Sequence, residues 1–289
     1  TASNFSVVMS SITSVSIATI DTTECFDEMT LMALYFQNLR EFFEYEPKIK
    51  TGTKKAEKFE SLEFKNVSFK YPSAQKYSLE NVSFKLTKGE RLAIVGVNGA
   101  GKSTLVKLIL RFYDASSGQI LYNGVDIKEY ELSSLRNAFA TVFQDYKNFA
   151  ISVFENVMCR ECDENDKKIA EKALEQSGAW SKVSTLKYGG DTSLTREFDE
   201  NGAGLSGGEN QKVSTARLFA KDFEIAVLDE PSSALDPIAE YKMYENLIDV
   251  TKGKTVIFIS HRLSSAVLSD NIIVLSNGKI IEQGSHNEL

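Results

Sequence analysis

Residues 91–110 read Arg91-Leu-Ala-Ile-Val-Gly-Val-Asn-Gly-Ala-Gly-Lys-Ser-Thr-Leu-Val-Lys-Leu-Ile-Leu110. Three pieces are joined there. Arg91 to Val95 is a short apolar run of the kind that forms a buried strand. Gly96, Val97, Asn98, Gly99, Ala100, Gly101, Lys102, Ser103 and Thr104 carry the spacing G-x-x-x-x-G-K-[ST]. Leu105 to Leu110 is apolar at helical spacing. Strand, glycine loop and helix are the parts a phosphate cradle needs. Glycines permit positive φ and bring main-chain N–H groups close to phosphate oxygens. The helix N-terminus adds unsatisfied donors and a partial positive charge. On this reading Lys102 reaches the β- and γ-phosphates of a nucleotide, Ser103 ligates Mg²⁺ through its hydroxyl, and Thr104 adds a donor. The bland alternative, a glycine turn beside a surface lysine, leaves the flanking strand and helix without a reason.

Working outward, Glu224-Ile-Ala-Val-Leu-Asp-Glu230 is a second apolar run, ending in two carboxylates. Four apolar residues in a row read as a parallel strand buried on both faces. Ligands of open α/β sheets sit at the carboxyl ends of such strands. Asp229 is therefore expected to face the phosphate loop and hold Mg²⁺ through water. Glu230 is placed to orient or deprotonate an attacking water. A solvated acidic pair is the alternative, but it ignores the phosphate loop. Between these runs lies a second glycine stretch, Leu205-Ser-Gly-Gly-Glu209.

Phosphate loop, second glycine stretch and acidic strand end, in that order, resemble the nucleotide-binding domain of ATP-binding-cassette transporters of the exporter type, from about Phe59 to Leu289. The resemblance implies that Leu205–Glu209 is the signature motif, opening a helix, with Ser206, Gly207 and Gly208 contacting the γ-phosphate of ATP held on the opposite subunit. It implies that Tyr71, in Phe69-Lys-Tyr-Pro72, stacks on adenine. The alternative for Tyr71 is one more aromatic on a strand, since Phe69 and Tyr71 alternate. The resemblance further gives Gln144 a place at Mg²⁺ and in the link to the transmembrane domain, Ser233-Ala-Leu-Asp236 a place at the dimer interface, and His261 a contact to the γ-phosphate. Asp199-Glu-Asn-Gly202 resembles an exporter loop that senses the membrane domain, with Glu200 and Gly202 as its matching positions. One position departs from the pattern. Most members carry glutamine where this chain has Glu209, and a carboxylate there repels a partner's triphosphate unless it is paired or protonated.

The 289 residues suffice for one large domain with an attachment, and the composition is that of a globular protein. A net charge of −7, without a basic stripe carrying aromatics, argues against a nucleic-acid partner. The expected fold is α/β: a P-loop NTPase core of mostly parallel sheet flanked by helices, an antiparallel β-subdomain, a helical subdomain and an N-terminal helical extension. Leu62–Tyr71 and Leu79–Leu86 alternate like antiparallel strands. Ser133 to about Tyr188 reads as mostly helical with a break at Gln144–Ala150, and in the resemblance the helical subdomain covers about 133–220. From Ile225 on, strands (Ile225–Leu228, Val256–Ser260, Ile272–Leu275) alternate with a helix over Ala239–Val250. Residues 1–47 are expected to be the end of a transmembrane domain. In them Thr1 to about Ile20 is apolar but rich in Ser and Thr, too polar and short for a span of its own. Glu28–Glu46 follows as an amphipathic helix ended by Pro47. Residues 48–58 have linker composition, and 59–289 form the nucleotide-binding domain. A free amphipathic or membrane-surface helix is the alternative for the extension. Thr1 in place of an initiator methionine, and an end at Leu289 where family members continue, suggest a fragment. Cys25, Cys159 and Cys162 are expected as reduced thiols, since one C-x-x-C lacks a second pair for zinc.

The resulting expectation is an Mg-ATP hydrolase at the cytoplasmic face of a membrane, working as a homo- or heterodimer of nucleotide-binding domains with its transmembrane domain, and powering export. The rivals are an importer ATPase, a soluble cassette protein of translation or DNA repair, and a regulator with a degenerate site. The helix before Pro47 argues against the first. One cassette without long heptad runs argues against the second. Lys102, Asp229, Glu230 and His261 together argue against the third.

Overall fold

The computed structural model describes residues 2–143, 145–229, 247, 251–260 and 269–289. Gln144, Glu230, Ser233–Asp236 and His261 lie outside them, as does all of the expected helix 239–250 except the buried helical Leu247. Two compact units divide the chain, Thr1–Lys50 and Thr51–Leu289.

The first unit is one helix, α1 (Ala2–Phe43). The helix expected over Glu28–Glu46 is continuous with the apolar, Ser- and Thr-rich stretch before it. The hydroxyls of Ser11, Thr13, Thr19, Thr22, Thr23 and Thr30 each donate to the carbonyl four residues back. Their polarity is absorbed within the helix rather than competing with it. Apolar side chains from Phe5 to Phe43 are exposed along its length. By length and composition the helix can cross a membrane. It stops at Phe43, before Pro47 is reached.

Two sheets build the second unit. The smaller is antiparallel, β1 (Ser61–Phe69), β2 (Leu79–Thr87), β4 (Ser117–Tyr122) and β5 (Val125–Asp126), in the order β2-β1-β4-β5. Its first two strands are those expected from alternation, paired from Ser61↔Thr87 to Phe69↔Leu79. The larger holds β3 (Arg91–Val95), β6 (Phe139–Val142), β7 (Ile225–Asp229), β8 (Thr255–Ser260), β9 (Asn271–Ser276) and β10 (Lys279–Gly284), in the order β10-β9-β3-β8-β7-β6. Five of these strands are parallel and β10 is an antiparallel edge. Helix α2 (Lys102–Ile109) shares one core with both sheets. Leu105, Leu108 and Ile109 pack with Phe64 and Phe84 of the small sheet and with Leu92, Ile94, Val227 and Ile257 of the large one. The intervening residues Ala226, Leu228, Val256 and Phe258 belong to a second cluster, as period-two alternation in a sheet covered on both faces requires.

Helices α3 (Leu132–Asn137), α4 (Val153–Met158), α5 (Glu164–Gln176), α6 (Trp180–Val183) and α7 (Gly207–Ala220) lie between β5 and β7. Val153, Phe154, Val157, Leu174, Val183 and Val213 make a core common to the last four, while Leu135 of α3 joins the core around α2. Capping boxes start three of them, Ser152/Glu155 on α4, Asp163/Asp166 on α5 and Ser206/Glu209 on α7. The mostly helical reading of 133–188 needs one correction, because Phe139–Val142 is a strand paired in parallel with β7. Phe-Ala-Thr-Val is too short for its periodicity to separate strand from helix, and the sheet edge offered by β7 decides.

Composition marks 48–58 as linker, but from Thr51 onward the chain is docked. Gly52 N–H donates to Tyr130 O at 2.9 Å, Lys54 N–H to Glu129 O at 3.0 Å, and Glu131 N–H to Lys54 O at 2.7 Å. Ala56 N–H reaches Ser134 Oγ at 2.8 Å.

Candidate nucleotide site

β3 ends at Val95 and its chain turns through Gly96–Gly101 into α2. The turn demands glycine at two points. A Cβ at Gly96 would stand 2.3 Å from Leu275 O, and Gly101, at φ 109°, would bring one to 2.8 Å from Ser78 O. Gly101 is the N-cap of α2 and no side chain caps it. The capping boxes of α5 and α7 engage the N–H groups of Asp166 and Glu209, whereas no side chain accepts from the first turn of α2. The Lys102 ammonium curls over the loop, donating to Gly96 O at 2.7 Å and Val97 O at 3.2 Å. It is buried, while Ser103 beside it is exposed.

A cavity of about 1070 Å³ opens on this loop, lined by Asn98, Gly101, Lys102, Ser103 and Thr104 together with Tyr77, among others. Sequence reasoning missed two of its walls. One is the chain entering β2 at Tyr77–Ser78. The other is the β9–β10 turn at Asn277–Gly278, whose φ values of 47° and 77° mark a two-residue hairpin. The Asn-Gly dipeptide between apolar runs could have revealed the hairpin. Nothing local predicts that Gly278 N–H bonds Ala100 O at 3.0 Å and so buttresses the phosphate loop.

Asp229, buried, ends β7. It stands level with Ile259 of β8, and Val95 stands level with Ser260. β8 alone separates β7 from β3, so Asp229 and the start of the loop share one sheet edge about 10 Å apart by strand spacing. Parallel β6 ends at that edge too, ahead of Gln144. Tyr71 sits beside the loop, its hydroxyl 3.2 Å from Thr104 Oγ1. Its ring meets Phe69 and Tyr113 edge-on at 4.9 and 5.2 Å, with Lys107 Nζ 5.6 Å from its centre.

The second glycine stretch opens α7, as expected. Ser206 and Gly207 are exposed, and a Cβ at Gly207 would meet open space. Ser206 Oγ accepts from Glu209 N–H at 3.4 Å. None of residues 205–209 is among those lining the phosphate-loop cavity. Behind this stretch α7 is tied to the segment that follows Gln144. Tyr146 Oη donates to Gly207 O at 2.7 Å, Asn148 Nδ2 to Asn210 Oδ1 at 2.8 Å, and Arg217 to Lys147 O and Asn148 Oδ1, both at 2.9 Å. Gly202 is buried where a Cβ would collide with Thr195 O, and Glu200 is exposed. All three cysteines are free thiols, with Cys159 at the left-handed end of α4.

Comparison with known proteins agrees with this geometry. The chain is 41% identical over 259 residues to the subtilin transport ATP-binding protein SpaT of Bacillus subtilis, covering 89% of this chain and 42% of that protein. It is 39% identical over 254 residues to the ATP-dependent lipid A-core flippase of Vibrio vulnificus, covering 88% of this chain and 43% of the flippase. The structure superposes on a bacterial Atm1-family ABC exporter with ATP bound, at a TM-score of 0.78 and 32% identity, over 89% of this chain and 45% of that one. The chain thus spans less than half the length of each of these relatives. A model of the ABC transporter family matches residues 79–233, more than half of the sequence. With its phosphate loop, acidic strand end and exposed second glycine stretch, this chain belongs to the ABC transporter family.

Proposed function

We propose that this chain binds and hydrolyses ATP as the motor part of an ABC exporter, with residues 59–289 as the nucleotide-binding domain, 48–58 as its connection and 1–47 as the end of a transmembrane domain. The observation that carries the reading is the uncapped start of α2 opening, with Lys102 and Ser103, into a cavity that the second glycine stretch does not line. Lys102 exchanges its bonds to Gly96 O and Val97 O for the β- and γ-phosphates, and the N–H groups of 99–104 surround them. Ser103, Asp229 and Gln144 are the oxygen donors suited to Mg²⁺, which when bound spreads the charge that builds on the transferring phosphoryl group. Tyr71 is the family's adenine-stacking aromatic, held beside the loop by Thr104. Glu230 takes the proton of the attacking water and His261 contacts the γ-phosphate.

Ser206, Gly207 and Gly208 do not line their own domain's cavity and serve ATP on a second nucleotide-binding domain, identical or different. Closing two domains over two nucleotides turns binding energy into motion, and hydrolysis releases it. Gln144, with the segment bonded to α7, passes that motion to the transmembrane domain at the cytoplasmic face of the membrane. The exposed apolar α1 supports that location, and the names of the relatives support export over import.

The test is ATPase activity and nucleotide binding of the chain with Mg-ATP. Lys102→Ala should lose binding at least tenfold. Glu230→Gln should keep binding and lower turnover at least a hundredfold. Undiminished hydrolysis in Glu230→Gln would refute the base, and undiminished binding in Lys102→Ala would refute the site.

A further inference from the structure

The phosphate-loop cavity has an aromatic wall that is not the family's stacking residue. Tyr77 lines it, together with the Asn277–Gly278 turn and residues of the phosphate loop. It is 54% exposed. Among the described residues no aromatic ring or cation is stacked on it. Tyr71 presents the opposite case. It is half-buried, it meets Phe69 and Tyr113 edge-on with the Lys107 ammonium over its ring, and it is not among the residues lining the cavity.

The main chain around Tyr77 is held at both ends. Ala74 N–H donates to Tyr71 O at 2.9 Å and Ser78 N–H to Phe69 O at 2.8 Å. Gly278 packs against Ser78 so closely that a Cβ there would lie 2.7 Å from Ser78 O. The backbone is thus anchored while the ring remains open to a ligand. A cavity of about 1070 Å³ is larger than a triphosphate fills. A nucleotide with its phosphates on Lys102 and Ser103 has the rest of that space for its ribose and base, and the free aromatic surface there belongs to Tyr77.

We propose that Tyr77 is a base-contacting residue whose ring stacks on the nucleobase of the nucleotide held by the phosphate loop. It adds to the preference for nucleotides over inorganic polyphosphate that Tyr71 supplies. The proposal rests on the nucleotide reading given above. Because every base has a π-face, stacking of this kind tolerates different bases rather than selecting adenine alone.

The experiment uses the 289-residue chain in detergent and titration calorimetry with two probes, ADP and inorganic pyrophosphate, at fixed Mg²⁺. Tyr77→Ala should weaken ADP binding about tenfold and leave pyrophosphate unchanged. Tyr77→Trp should restore ADP affinity. Unchanged ADP affinity in Tyr77→Ala, with both probes lost in Lys102→Ala, would overturn the role of Tyr77 while leaving the nucleotide site intact. Equal weakening of both probes in Tyr77→Ala would overturn it as well, because it would mark a distorted loop. A wild-type chain that binds neither probe would overturn the underlying nucleotide reading instead.

Discussion

Glu209 turns back on its own helix. Its Oε2 accepts from Ser206 N–H at 2.8 Å, and Lys182 Nζ lies 4.0 Å from its Oε1. The Ser206 N–H, ahead of the Ser206 hydroxyl, Lys182 and Lys212, holds its carboxyl below the ordinary glutamate range, with partial burial opposing. The carboxylate that departs from the family pattern is therefore paired as a helix cap. The S-x-x-E spacing of a capping box was readable in the sequence, but the direction of the side chain was not. Glutamine can accept the same N–H bond, so Glu209→Gln should change ATPase rate less than about threefold. A hundredfold rise would show that the charge had been suppressing turnover. Glu209→Ala removes the cap and should cost about 1 kcal/mol in a denaturant titration. A lowered folded-state pKa stabilises the protein above the unfolded glutamate value, and that contribution fades as pH falls through the folded one. The stability gap between wild type and Glu209→Gln should accordingly narrow on acidification from neutral pH to below the usual glutamate range.

Among the elements, the docked segment 51–56 departs furthest from its composition. It pairs with the 129–131 backbone and reaches Ser134 on α3, the short helix that leads into β6. Lys54 Nζ adds a contact to Glu129 Oε2 at 2.7 Å, worth little because both side chains are half exposed. Close approach of backbones holds the segment, and Gly52 permits it. A Cβ there would lie 2.1 Å from Glu129 O. Gly52→Val should lift the segment, seen as faster amide exchange at position 52 and at Thr53, Lys54 and Glu131, with exchange in β3 and α2 unchanged. Protection retained at those four amides would mean that the docking does not depend on the glycine. Lys48–Lys58 carries no apolar period, so its sequence reads as linker. Main-chain hydrogen bonds leave no residue-type signature, and the docking was invisible for that reason.

At the scale of the whole molecule, the two glycine stretches belong to different surfaces. The first opens on its own cavity, and the second is exposed and does not line it. Under the proposed function one chain is then half of each composite site. Gly207→Glu tests this, since a side chain there enters open space and leaves the fold undisturbed. It should retain nucleotide binding at its own loop. In a Glu230→Gln background it should abolish the ATP-dependent dimer that the parent forms, as read by light scattering. Persistence of the dimer would place the second stretch away from any interface.

The phosphate loop was legible because its donors, charge and hydroxyl fall within nine consecutive residues between a strand and a helix that announce themselves. The acidic strand end was legible because a parallel strand buried on both faces leaves a continuous apolar run. Folding alone settled the identity of β6, the continuity of α1, the docking of 51–56 and the cavity walls at Tyr77 and Asn277–Gly278. β6, the docked segment and the cavity walls depend on partners far away along the chain. α1 depends on hydroxyls finding carbonyls within their own helix. A one-dimensional pattern records which residues are apolar, not which groups meet once the chain has closed upon itself.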